Sequence, residues 1–214
     1  MPVVGVDEAG KGPVLGSMFA AAVRVTDPAA LPDGLDDSKA LEPRQREMLD
    51  ATLRADDRVS ISLVEVETAR IDDPESDMNT LTVVAHAEAL SGLAEPGDRV
   101  ILDAGDVSAS RFARRVEARV PTPLDLRAEH RADSTYAAVS AASVVAKVAR
   151  DAHVASLAEE FGEVGSGYPS DPRTRTFLAG FVEDHGCLPA CARTSWQTSK
   201  DALAAAEQSA LEEF

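Results

Sequence analysis

The chain has 214 residues, 44% of them hydrophobic, and a formal charge of −16 from 37 acids against 21 Lys and Arg. A length of this order can bury about 70% of its unfolded surface, enough for one domain that folds without disulfides or structural metal. No apolar run approaches the ~20 residues of a membrane span, and MPVVGVDEAG lacks the basic-then-apolar layout of a secretory leader, so a cytoplasmic setting is expected.

The acidity works against nucleic-acid affinity in general, because phosphate contacts supply most of it. Yet only four of the bases are lysine (Lys11, Lys39, Lys147, Lys200). Excess carboxylate with scarce lysine is the composition of halophilic proteins, which work in molar salt where charges are screened to within ~3 Å. Net charge therefore excludes no substrate. Cys187 and Cys191 form a C-x3-C with no second Cys/His pair close by, and are read as ordinary thiols rather than a zinc site.

In chain order, PVVGVD (residues 2–7) is a short apolar run ending in acid, a buried strand. Glu8 to Pro13 is turn-rich, and the small, apolar run 14–25 fits a second strand, giving an antiparallel hairpin. A loop over 27–37 precedes a helix over 43–55, and VSISLVEV (59–66) alternates as a third strand. A helix over 77–90 leads to Gly97-Asp98 and RVILD (99–103), a fourth buried strand that again closes on an acid. Residues 108–120 are predicted helical and 122–126 a fifth strand. The longest helix spans 136–161, with Ala, Val and Leu at three- and four-residue spacing. After SGYPSDP (166–172), Asp171 caps a helix to about residue 184 with Pro at its first turn. An alanine-rich helix covers 198–213. The order predicts an α/β fold, a mixed five-stranded sheet flanked by helices. Residues 1–186 would form the catalytic domain and 187–214 a C-terminal helical extension.

Four carboxylates stand out by position. Asp7 and Glu8 close the first strand, Asp103 closes the fourth, and Asp133 precedes the long helix. Acids at the ends of neighbouring buried strands converge, and converged carboxylates repel unless cations lie between them. Hard oxygen donors favour Mg²⁺ or Mn²⁺, and two such ions ~4 Å apart could hold the attacking and leaving oxygens of a phosphodiester. Acids at strand ends also commonly cap helices or face solvent. Adjacent strand residues face opposite sides, so for Asp7 and Glu8 to share a site Glu8 is expected to lie already in the turn.

The wording of these segments goes further. VVGVDEAGKGPVLGSM, DSKALEPRQRE (37–47), ILDAGD (101–106), EHRADSTYAAVSAASVVAKVARD (129–151), SGYPSDPRT (166–174) and the late Arg193-x-Ser195-Trp196 run in order over residues 3 to about 197. Together they resemble the type 2 ribonucleases H (ribonuclease HII) in their archaeal form. D-E-A-G-[KR]-G-P-V beginning at residue 7 separates them from type 3 enzymes, which carry an N-terminal extension. The resemblance implies a ribonuclease H-like fold and a metal-binding catalytic quartet of Asp7, Glu8, Asp103 and Asp133. It implies cleavage of the RNA strand of RNA–DNA hybrids and nicking 5′ of ribonucleotides embedded in duplex DNA. Two divalent ions, Mg²⁺ or Mn²⁺, would activate water and stabilise the leaving oxygen, giving 3′-hydroxyl and 5′-phosphate ends. A junction-type DNA nuclease of the same broad fold is the alternative, and a non-catalytic binding module would be expected to have lost one of the four acids.

The resemblance also assigns the glycine loop, Gly10-Lys11-Gly12, to the 2′-hydroxyl region and Tyr168 to stacking beside the same nucleotide. Lys11 keeps the charge of the more usual Arg but loses its bidentate fork. Lys39, Arg44, Arg46 and Lys147 lie within matched motifs and are candidate phosphate contacts. The four histidines (His86, His130, His153, His185) are scattered and offer no metal triad, although His130 is near Asp133 and could move a proton. The terminal Q-x-x-L-x-x-F, Gln208, Leu211 and Phe214, resembles the peptide with which replication proteins dock on the sliding clamp. A monomer is expected.

Overall fold

In the computed structural model, which describes residues 2–35 and 41–212 and side chains as far as residue 208, the first apolar run becomes β1 (Val3–Ala9). Its alternation serves two layers. Val4 and Val6 share an apolar cluster with Val83, Ala87 and Phe112, whereas Ala9 belongs to a second cluster with Val144 and Val145. β2 (Met18–Val25), β3 (Val59–Val66), β4 (Arg99–Asp103) and β5 (Asp125–Glu129) complete the expected five-stranded sheet, in the order β3-β2-β1-β4-β5. β1–β2 and β2–β3 are antiparallel; β1–β4 and β4–β5 are parallel.

The helices follow their end signals. α1 (Pro43–Ala55) opens on a capping box between Glu42 and Gln45 with Pro at its first turn. After the short α2 (Thr68–Ile71), α3 (Met78–Ser91) is capped by Asp77, whose carboxylate accepts the Asn79 and Thr80 N–H groups. α4 (Ala109–Glu117), α5 (Ala137–Phe161), α6 (Pro172–His185) and α7 (Gln197–Glu212) complete the set. Close contact of α5 with β1 depends on Gly5, where a Cβ would stand 2.1 Å from the Ala138 carbonyl carbon. Much of the core between them is alanine: Ala21, Ala138, Ala141, Ala142 and Ala146 are all buried.

Two strands start later than expected by three residues or more. β2 starts at Met18 rather than residue 14, because the backbone before it pairs elsewhere. The Val14 N–H donates to the Gly167 carbonyl, the Gly16 N–H to Cys191, and Arg193 donates to Val14. β5 starts at Asp125 rather than residue 122, since Pro121 and Pro123 have no N–H to give a ladder.

The chain forms two compact units. The first joins Met1–Ala9, Met18–Val66 and Asp77–Arg150 and holds the sheet. The second joins Gly10–Ser17, Glu67–Ser76 and Asp151–Phe214. Its apolar cluster includes Val14, Leu15, Leu157, Leu178, Cys191 and Ala192, so residues on both sides of Gly186 share one core. Cys187 and Cys191 are free thiols, and burial pushes the Cys191 thiol up to about 11. No described helix is long and apolar enough to cross a membrane.

Candidate active site

Parallel pairing of β1 with β4 brings their carboxyl ends together, and three acids converge there. One carboxylate oxygen from each of Asp7, Asp103 and Asp133 lies within 4.8 Å of the other two, the one such metal-capable group among the described residues. Asp7 and Asp133 are buried. Asp103 Oδ1 accepts the Ala132 N–H at 2.9 Å, which ties β4 to the 3₁₀ turn Ala132–Ser134 that carries Asp133. Arg131, just before that turn, has φ 60° and ψ 35°. It is the one non-glycine residue in the left-handed region among the described residues, a conformation that costs an L-residue about 1 kcal/mol. Such strain beside a carboxylate cluster turns the chain so that Asp133 faces the strand ends.

Electrostatics match this geometry. Burial, then the neighbouring charges of Glu8 and Asp103, push the Asp7 carboxyl well above the usual aspartate range. Three carboxylates held together, one of them reluctant to ionise, form a donor set that suits hard divalent cations.

Glu8 departs from the expected geometry. β1 continues to Ala9, which pairs with Phe19, so Glu8 is still a strand residue opposite Ala20 and not part of the turn. Alternation sends it to the α3 side, where its Oε2 lies 2.8 Å from Nε2 of the fully buried His86. The buried Nδ1 on the other side of the ring has no hydrogen-bond partner among the described residues. The His86 ring also meets Phe112 edge-on at 5.1 Å. In the sequence His86 shows only as a polar residue within an apolar helix, 78 positions from its partner.

In the second unit the glycine loop and the Gly-Tyr motif come together. A Cβ on Gly12 would stand 3.6 Å from Tyr168 Cε1. Tyr168 is 37% exposed, and its loop is closed by Asp171, which accepts the Ser166 N–H at 2.7 Å and the Arg173 N–H at 3.0 Å. Those bonds, the Ser166 N–H foremost, hold the Asp171 carboxyl far below its ordinary range. Thr174 Oγ1 accepts the Gly167 N–H at 3.0 Å. Lys11 is half-buried and Gly10 buried.

Arg44 is exposed on α1, and Arg46 donates from Nη1 to the Leu41 carbonyl at 2.7 Å. Lys147 is half-buried on α5 and His130 exposed beyond β5. Lys39 lies outside the described residues, as do Phe214 and the side chain of Leu211; Gln208 is exposed on α7.

Comparison with known proteins agrees with this arrangement. The family model described as Ribonuclease HII matches residues 4–199. A ribonuclease HII from Halobacterium salinarum is 61% identical over 211 residues, covering 98% of both chains. One from Haloarcula marismortui is 60% identical over 98% of this chain and 99% of its own. Both come from halophilic archaea. Among solved structures, the ribonuclease H2 of Pyrococcus horikoshii OT3 superposes with a TM-score of 0.90 at 36% identity, over 97% of this chain and 100% of that one. A PCNA–ribonuclease HII complex from Archaeoglobus fulgidus contains a chain matching at TM-score 0.83 and 34% identity, over 94% and 96%.

Proposed function

The chain belongs to the ribonuclease HII family and is a ribonuclease H, and on that premise we propose how this sequence does its work. It hydrolyses the RNA strand of RNA–DNA hybrids and nicks 5′ of ribonucleotides embedded in duplex DNA. The observation that carries this reading is the convergence of Asp7, Asp103 and Asp133 within 4.8 Å.

Asp7, Asp103 and Asp133 hold the divalent ions, with Glu8 contributing from the edge of the cluster. When bound, two Mg²⁺ or Mn²⁺ ions would supply Lewis acidity for attack by water on the phosphodiester, and 3′-hydroxyl and 5′-phosphate ends would be the expected products. The chain's own part is to fix the acids before substrate arrives. The Ala132 N–H orients Asp103, and His86 orients Glu8. Gly10, Lys11 and Gly12 lie along the ribose whose 2′-hydroxyl marks the cleavage position, with Tyr168 stacked beside that nucleotide. Lys39, Arg44, Arg46 and Lys147 meet phosphates further along. The tail Gln208-x-x-Leu211-x-x-Phe214 docks on the sliding clamp, a reading supported by the PCNA complex of the Archaeoglobus relative. Clamp affinity should be lost when the last seven residues of the sequence are removed.

The test is cleavage of a labelled DNA duplex holding one ribonucleotide, beside an all-DNA control and a full hybrid, with Mg²⁺ or Mn²⁺ from low salt to molar KCl. Cutting confined to ribonucleotide-bearing substrates and dependent on metal is expected. Equal cutting of the all-DNA control would replace this reading with a junction-type DNA nuclease.

A further inference from the structure

Arg193 has the largest fully buried side chain of the described residues, at 0% exposure. A guanidinium withdrawn from water is costly unless its donors are met. Here all three nitrogens donate to one short segment: Nε to the Gly16 carbonyl at 2.8 Å, Nη1 to Lys11 at 3.1 Å and Nη2 to Gly10 at 2.6 Å. Trp196 lies under the guanidinium at 4.9 Å and donates its own Nε1–H to the Gly12 carbonyl at 3.4 Å. The carbonyls of residues 10, 11, 12 and 16 are thus all claimed by two side chains of one motif.

This clasp has a directional consequence. In a planar trans peptide the C=O and the next N–H point opposite ways. With the Gly10 and Lys11 carbonyls turned onto Arg193, the N–H groups of Lys11 and Gly12 are aimed away from it. Gly10 accepts the required backbone at φ +87°, a value that a side chain would oppose. Arg193 is itself anchored from behind. Asp72 accepts the Thr194 N–H at 2.7 Å, the Ser195 N–H at 2.9 Å and the Ser195 hydroxyl at 2.5 Å.

We propose that Arg193, backed by Trp196 and Asp72, is the positioning residue that sets ribose discrimination, by fixing which way the Gly10–Gly12 peptides face. The inference rests on the proposed assignment of that loop to the 2′-hydroxyl. Arg193 touches no substrate; it acts through the loop. Lysine cannot replace it, because an ammonium lacks the planar fork that reaches three carbonyls at once.

The experiment compares affinities for an all-DNA duplex and the same duplex with one ribonucleotide, in molar KCl with Ca²⁺ to prevent cleavage. Wild-type protein should prefer the ribonucleotide. Arg193→Lys should lower that preference by about tenfold, the loss of one good polar contact. Its affinity for the all-DNA duplex and its Mn²⁺ binding by calorimetry should stay within about twofold, which a general structural failure would not allow. Trp196→Phe keeps a ring under the guanidinium but loses the donor to Gly12, and should lower the preference by about threefold. A folded Arg193→Lys protein with wild-type preference would overturn the inference. If that variant does not fold, an unchanged preference in Trp196→Phe overturns it. A wild-type protein that shows no preference would overturn the ribose assignment of the loop itself, and the inference with it.

Discussion

Asp7, Asp103 and Asp133 gather like charges at the carboxyl ends of buried strands, and burial, reinforced by the charges of Glu8 and Asp103, makes the Asp7 carboxyl resist ionisation. Around Arg193 the reverse holds: three donors meet three carbonyls, and an aromatic ring covers the charge. The first region is left electrostatically unfinished, and on the proposed reading cations would complete it. The second is completed by the chain and is finished before any ligand arrives. A site that binds ions gains from stored repulsion, whereas a site that tells ribose from deoxyribose gains from backbone that does not move.

The comparison is broken most severely at the acids. Asp133→Asn should lower cleavage by on the order of 10³-fold or more while hybrid affinity stays within about a few-fold; single-turnover cleavage and a binding titration measure the two. Surviving cleavage would remove Asp133 from the metal site. His86→Leu, which takes the N–H from Glu8, should weaken Mn²⁺ binding by about tenfold, with His86→Gln restoring part of it because Gln carries an N–H near the same place. Calorimetric Mn²⁺ titration separates these variants.

Proton and metal should compete at the first region. Folding raises the Asp7 pKa, so the metal-free fold binds that proton more tightly than the unfolded chain. The group's contribution therefore favours the fold at low pH and is lost as pH rises from the ordinary aspartate value through the raised one. Saturating Mg²⁺ or Mn²⁺, at about 100 times its dissociation constant, should add about 2.7 kcal/mol at neutral pH, or about 5–10 °C in Tm. That gain should shrink as the pH falls and the acids take up protons; a gain independent of pH would contradict the assignment.

The second region should respond to acid in the opposite sense, and more weakly. Burial pushes Asp72 up, but the hydrogen bonds from Ser195 and Thr194 outweigh it and hold the carboxyl below its ordinary range. Its stabilisation is present above the ordinary aspartate value and is lost as pH falls through the lowered one. Asp72→Asn should cost about 1 kcal/mol near neutral pH, a Tm drop of about 2–4 °C. Little difference from wild type should remain at strongly acid pH.

Much of this was legible before any coordinates. Hydrophobic runs ending in acid located β1 and β4, and the order of motifs carried the family and the sheet. Misreadings arose where a backbone choice depends on distant partners. Val14 to Gly16 look like the start of a strand, but they bond to residues 167, 191 and 193. Glu8 looks like part of the turn, but the Ala9–Phe19 pair keeps it in β1. Arg193 is marked by the late motif and His86 by nothing local, but the roles of both stay hidden because their partners lie 177–183 and 78 positions away. Period and turn signals are short-ranged; burial of a lone polar side chain is a property of the whole fold.

The alanine-lined contact between β1 and α5 has a thermodynamic consequence of its own. A methyl side chain has no rotamers to freeze on folding, so this core forgoes one entropic penalty. It also removes less oil-like surface from water than leucine or phenylalanine would, and so draws a smaller solvent-driven gain per residue. Such a core leans on whatever the surrounding solution adds to the aversion between water and methyl groups. Concentrated salt raises that aversion while muting the mutual repulsion of a −16 surface. Dilution should therefore loosen interior and exterior together, and the ionic strength of the medium becomes in effect a component of the fold.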